Sequence, residues 1–175
     1  MTDRAVRAAA QWAVARPDLD LPPMETLGRL HEASNLVARE RQAPLYARHG
    51  LQPGEFDVLA TLRRAPSSEG LTPTALYEAT MMSSGGMTAR LDRLQKAGLI
   101  ERTPHPSDRR ASLVRLSAKG FDLIEALMPL HMETARDVLA PLSGKEQATL
   151  NALLARLIDG LCDRNQPPEA AFTAT

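Results

Sequence analysis

The sequence predicts a mainly α protein carrying one helix-turn-helix and one two-stranded hairpin, and three observations predict it. Aromatic residues make up only 3% of the 175 residues while Ala, Leu, Arg and Glu recur throughout, a composition that suits helices better than a sandwich or barrel. Apolar residues recur at spacings of three and four along most of the chain, the signature of helices with one buried side. Only residues 98–116 read as paired strands, two short runs around a proline-rich turn. With 43% hydrophobic and 24% charged residues, the chain suits one ordinary domain with a core of its own, not a disordered tail or a fibrous rod. No stretch approaches the roughly 18 apolar residues of a membrane span, and charges are scattered through MTDRAVRAAAQWAVARPDLD, so a cytoplasmic protein without a signal peptide is expected. One cysteine, Cys162, excludes an internal disulfide or a thiolate metal cage.

Residues 1–16 form a short amphipathic helix ended by Arg16-Pro17, and a linker follows to Pro23. From Met24 to His49 the spacing of Leu27, Leu30, Leu36, Val37 and Leu45 predicts a long helix, with Gly50 as its C-cap and Pro44 bending its last part. Pro53 opens the next helix, whose apolar side is Phe56, Val58, Leu59 and Leu62, and Ala65-Pro66-Ser67-Ser68-Glu69-Gly70 ends it. Thr72-Pro73 is an N-cap with a first-turn proline and starts a short helix to about Ala79. Ser83 or Ser84 caps another helix with Met87, Leu91 and Leu94 inward, and Gly98 ends it. Gly98 to Thr103 and Ala111 to Leu116 are the strands, joined by the basic turn Pro104-His105-Pro106-Ser107-Asp108-Arg109-Arg110. Ser117 caps a helix towards Leu139. Ser143-Gly144-Lys145-Glu146 is a capping box before a last helix with Leu150, Leu153, Leu154, Leu157, Ile158 and Leu161. The tail from Asn165 is expected to be disordered.

Twenty-one basic residues balance twenty-one acidic ones, which taken alone argues against a nucleic-acid binder. The distribution argues otherwise: residues 90–119 carry eight basic and three acidic residues, whereas 120–175 carry four and eight. A basic block in an acidic frame suits local contact with phosphates. That block holds a helix-turn-helix followed at once by an arginine-tipped hairpin, the winged-helix arrangement. A B-DNA major groove accepts one α-helix, and the narrower minor groove accepts a slender arginine-bearing loop. A helical wheel turns Met87, Leu91, Leu94 and Gly98 to the core and Gly85, Ala89, Asp92, Arg93 and Lys96 outward, with Thr88 on the flank. The candidate DNA contacts are therefore Ser83, Ser84, Gly85, Thr88, Ala89 and Arg93 on the helix, with Arg109 and Arg110 on the wing. Small residues at the helix start let its free N–H groups approach a phosphate.

Several segments carry a resemblance to the multiple-antibiotic-resistance (MarR) regulators: Leu71-Thr72-Pro73-Thr74-Ala75-Leu76, then Ser84 to Leu94, then Lys96-Ala97-Gly98-Leu99-Ile100-Glu101-Arg102. The most specific is Asp108-Arg109-Arg110 followed by a strand and Leu116-Ser117-Ala118-Lys119-Gly120. The resemblance covers residues 24–162. It implies a transcriptional repressor, not an enzyme, with Arg110 entering the minor groove and no cofactor or metal. It also implies a homodimer built from the first and last helices, whose two recognition helices, roughly 34 Å apart, meet a pseudopalindromic operator in double-stranded DNA. The chain then divides into an N-terminal extension (1–22), a first dimerisation helix (24–50), a winged helix-turn-helix (51–117), C-terminal dimerisation helices (118–164) and a tail (165–175).

Two charged residues fall where a core is expected, Asp57 in the Glu55 to Leu62 segment and Arg90 on the inner shoulder of the recognition helix. Buried charge is costly unless paired, so two readings stand: a structural Asp57–Arg90 salt bridge, or a pair that a ligand separates. The sole tryptophan, Trp12, lies in the N-terminal extension helix. With Asp57 and Arg90 it resembles the urate-responsive subgroup of these regulators, which implies a planar anion stacked on Trp12, bonded to Arg90 and repelling Asp57. A phenolic acid, another aromatic anion or an antibiotic suits the same cleft.

Other classes find less support. Cys162 reads as a small buried residue near a dimer seam, not a redox sensor. His31, His49, His105 and His131 have no short ligand spacing for a metal. Gly85-Gly86 lacks the Lys-Ser/Thr of a phosphate-cradling loop, and no Gly-x-Ser-x-Gly occurs. A helical protein that only binds other proteins is the remaining alternative, and it predicts weak dependence on salt where DNA binding predicts a steep one.

Overall fold

The computed structural model describes residues 3–52, 54–65, 70–80, 86–106 and 111–163. It divides into two compact units, residues 1–134 and 135–175, which are taken in turn. In the first, α1 (Arg4–Ala15) lies along α2 (Pro22–Leu36). The Asp3 carboxylate accepts the N–H groups of Ala5 and Val6, capping α1, and also pairs with Arg29 of α2 at 2.7 Å. That arginine is the main reason the Asp3 carboxyl is held below its ordinary range. Small residues allow the close approach: Ala5 and Ala9 are buried, and a Cβ built on Gly28 would lie 3.0 Å from that of Ala5.

The long helix expected from Met24 to His49 is present as a composite. After α2 the backbone widens into a π-helical segment, Val37–Gln42, before α3 (Ala43–Arg48) resumes the regular pitch. Here the Ala43 N–H reaches the Ala38 carbonyl, five residues back. The cause is Pro44, which has no N–H for the Glu40 carbonyl and whose ring would collide with it; a wider turn just ahead makes room.

Three helices and a hairpin follow: α4 (Glu55–Arg64), α5 (Pro73–Ala79), α6 (Met87–Lys96), β1 (Ile100–Pro104) and β2 (Ser112–Leu116). The strands pair antiparallel from Ile100 opposite Leu116 to Pro104 opposite Ser112. Thr72 caps α5 as expected, its hydroxyl accepting the Ala75 N–H at 3.1 Å. Two helix starts differ from expectation. α4 begins behind Gly54 (φ +81°) and α6 behind Gly86 (φ +89°), because the left-handed conformation that glycine tolerates turns the chain into each helix. Pro53, Ser83 and Ser84, the expected starts, lie outside the described residues. Leu71 adds a bridge to the free edge of β2, exchanging two backbone hydrogen bonds with Val114 at 2.9 and 2.8 Å.

The core gathers Leu45, Tyr46 and Leu51 with Phe56, Val58, Leu59 and Leu62 of α4, Leu76 of α5, and Met87, Leu91 and Leu94 of α6. Ile100 and Val114 of the hairpin and Ile124 and Leu127 of α7 (Ala118–Leu139) close it. Gly98 was expected on this inner side. It is instead an exposed left-handed residue (φ +71°) that stops α6. Ser117 caps α7, accepting the Gly120 N–H at 3.0 Å, and its hydroxyl donates to the Gly98 carbonyl at 2.6 Å.

In the second unit Ser143 and Glu146 form the expected capping box at the start of α8 (Gly144–Asp163). Leu150, Leu153, Leu157, Ile158 and Leu161 are all exposed along α8, and so is Cys162, against the expectation of a buried thiol. α8 presents these residues uncovered in the single chain, so nothing encloses the sulfur. The tail beyond residue 163 lies outside the described residues. Among the described residues no helix is long and apolar enough to cross a membrane.

One contact tests this packing. A Cβ on Gly120 would overlap the Leu99 carbonyl, so Gly120→Ala is expected to cost about 2 kcal/mol, roughly 4–8 °C in melting temperature for a chain of this size, measured by circular dichroism.

Candidate nucleic-acid interface

α6 is held by its inner stripe, Met87, Leu91 and Leu94, all buried. Its opposite face carries Thr88, Ala89, Asp92, Arg93 and Lys96, all exposed. Thr88 and Ala89 thus stand where the periodicity put them. Ser83, Ser84, Gly85, Arg109 and Arg110 lie outside the described residues.

Arg93 is exposed but engaged. Its Nε donates to Glu55 Oε1 at 2.8 Å, and the second oxygen, Oε2, accepts the Gln52 N–H at 2.6 Å. Glu55 is 4% exposed. Among the described residues, the ion pair joining α4 to α6 is therefore Glu55–Arg93, where the sequence suggested Asp57–Arg90. The periodicity held the signal: Glu55 precedes Val58 by three and Leu59 by four, on the buried stripe of α4, whereas Asp57 falls beside it. Asp92 pairs with Arg102 of β1 at 2.7 Å, and Glu101 with Arg115 across the strands at 2.8 Å. These contacts tie the helix to the hairpin and stiffen the hairpin stem.

The three residues of the suggested ligand cleft occupy different settings. Trp12 is 46% exposed on α1. Arg90 is half-buried and folds back along α6, so that a Cβ built on Gly86 would lie 3.6 Å from its Nη1. Asp57 is half-buried near Tyr46 and His131, and its charge acts on both. Among the described residues no ring contact or ion pair joins Trp12, Asp57 and Arg90 to one another.

An aromatic stack beside Asp57 has no local signature in the sequence. Tyr46 lies over Phe56 with centroids 4.5 Å apart, Phe56 is 4.6 Å from the His131 ring, and the Tyr46 hydroxyl is hydrogen-bonded to His131 Nδ1 at 2.9 Å. Residues 46, 56 and 131 are remote in sequence and belong to α3, α4 and α7. Burial raises the Tyr46 phenol well above its ordinary value, aided by Asp57. Burial also lowers His131 from 6.5, with Asp57 opposing.

This arrangement of fold and charged face has close parallels. The family model described as "MarR family" matches residues 49–111. The HTH-type transcriptional regulator PecS of Dickeya dadantii (strain 3937) is 40% identical over 147 residues, 84% of this chain and 88% of that one. The chain belongs to the MarR family. It is a winged-helix transcriptional regulator and not an enzyme. The multiple antibiotic resistance protein MarR of Escherichia coli (strain K12) is 30% identical over 75% of this MarR-family chain and 90% of its own. Among solved structures, a cysteine-to-serine variant of E. coli MarR complexed with operator DNA superposes with a TM-score of 0.67, at 26% identity over 83% of this chain and 96% of that one. AbsC of Streptomyces coelicolor, with a TM-score of 0.71 at 22% identity over 85% and 99% of the two chains, shows the shared fold.

The His131 environment predicts a pH dependence of stability. The unfolded chain takes up a proton near 6.5, the folded chain only at lower pH, so the contribution of neutral His131 is complete above 6.5 and is lost as pH falls through the window below it. Melting temperature is expected to decline as pH falls below 6.5, and His131→Gln to flatten that part of the curve in thermal melts across pH.

Proposed function

We propose that this regulator is a homodimeric repressor that places α6 in the major groove of a pseudopalindromic operator and the tip of the hairpin, Arg109 and Arg110, over the adjoining minor groove. The observation that carries this reading is α6 itself, fixed by three buried side chains and two ion pairs while its outer face stays polar and open. The E. coli MarR variant crystallised with operator DNA shares that fold, which supports the same docking. Residues 51–117 then do the DNA work. Residues 24–50 and 118–164 build the dimer, with the apolar face of α8 meeting a second copy.

Release by a small aromatic anion, urate among the candidates, is the second half of the proposal. Trp12 offers a half-exposed indole to stack on, Arg90 a cation, and Asp57 a carboxylate that an anion would displace. The ligand acts by binding the DNA-free arrangement better than the DNA-bound one.

Three outcomes test this. Fluorescence anisotropy of a labelled duplex, selected by the protein from a random-sequence pool, is expected to show tight binding whose logarithm falls steeply with log salt concentration; weak binding indifferent to salt overturns the DNA reading. Urate is expected to raise the apparent Kd by about tenfold or more and to quench the single tryptophan, while indifference to urate with release by salicylate shifts the ligand and keeps the mechanism. In sedimentation, wild type is expected at twice the 19.0 kDa chain mass and Leu157→Asp as monomers that bind DNA poorly.

A further inference from the structure

We propose that Glu55 is a positioning residue that aims Arg93 at a DNA phosphate. The inference rests on the reading above that α6 meets DNA, and it concerns a residue on another helix. Glu55 is the one charged residue buried in the described core; the other buried polar residues are Thr61 and Thr80. A carboxylate withdrawn from water is tolerated only where both oxygens meet donors. Here Oε2 takes the Gln52 N–H and Oε1 takes the Arg93 Nε–H.

The pair is lopsided. Its carboxylate end is 5% exposed and its guanidinium end 42%. A guanidinium has five N–H donors in one plane, and Nε supplies one of them. Among the described residues the four on Nη1 and Nη2 have no acceptor. The Arg93 side chain is exposed, on a helix whose outer face also carries Thr88, Ala89 and Lys96. Holding Nε fixes the plane of the fork, so a phosphodiester arriving at that face meets two parallel donors whose ordering cost is already met within the fold. A lysine at 93 cannot do this: its ammonium is a single point that would serve either Glu55 or the phosphate. The alternative, that the pair merely fastens α6 to α4, predicts a loss of stability but no change at any one phosphate.

The test uses the full-length chain and the selected duplex, with single phosphates replaced in turn by neutral methylphosphonates. One position per half-site is expected to weaken wild type by about tenfold, the size of a charge-assisted hydrogen bond. Arg93→Ala is expected to be indifferent to that replacement, and so is Glu55→Gln, an isostere that keeps the Gln52 contact but gives up the carboxylate oxygen facing Nε. The double variant is expected to bind no more weakly than Arg93→Ala alone. Arg93→Lys leaves Glu55 paired and folded, and is also expected to lose the positional sensitivity, which covers the case of a Glu55→Gln chain that fails to fold. Full wild-type sensitivity at that position in Glu55→Gln or in Arg93→Lys overturns the proposal while leaving the DNA reading intact. A wild-type chain that selects no duplex removes both.

Discussion

The constraint on which the rest of the DNA-binding lobe depends is the contact between Leu99 and Gly120. At Leu99 the chain has just left α6 and is about to enter β1; at Gly120 it has left β2 and begun α7. The Leu99 carbonyl lies where a side chain on residue 120 would be and accepts the Ser117 N–H at 3.1 Å. Around it, Ser117 bonds Gly98 and Lys119 Nζ bonds the Ala97 carbonyl at 2.9 Å. α6, the hairpin and α7 therefore share one fixed point. Because interiors are close-packed, a shift at that point must move all three together.

Electrostatics refine what this frame displays. The local basic excess of residues 90–119 is only partly available to a ligand. Arg93, Arg102 and Arg115 each face a carboxylate, from Glu55, Asp92 and Glu101 respectively. The two exposed pairs contribute little to stability and much to geometry, since they hold helix and hairpin in register. Glu55–Arg93 differs because one partner is buried, so breaking it leaves a charge without solvent.

A second junction lies on the other side of the core. Tyr46, Phe56 and His131 bring α3, α4 and α7 into one aromatic stack beside Asp57, and Arg63 of α4 reaches α7 twice, over the Phe121 ring and to Glu125 at 2.6 Å. The π-helical segment before Pro44 leads directly into this stack and has no buried residue of its own. The two ends of the composite helix are thus tied down, one by α1 and one by the stack.

Local rules carried the sequence reading far. Periodicity placed the inner stripe of α6, the apolar side of α4 and the face of α8. Capping chemistry placed Thr72, Ser117 and the Ser143–Glu146 box, because each depends on residues within four positions of one another. The hairpin followed from strand pattern and turn residues, and the family from the motifs around α6 and the wing. What tertiary structure alone decided involves partners distant in sequence. Glu55 pairs with a residue 38 positions away and Tyr46 with one 85 away, so local spacing turns Glu55 inward but does not name Arg93 as its partner, nor does it bring a histidine to a phenol. The π-helical turn ahead of Pro44, the left-handed starts at Gly54 and Gly86, and the bridge of Leu71 to Val114 depend likewise on how packed elements meet. The sequence by itself determined where the α-helices and the hairpin lie and which of their faces are apolar, because both depend on neighbours along the chain; packing decided which charge meets which.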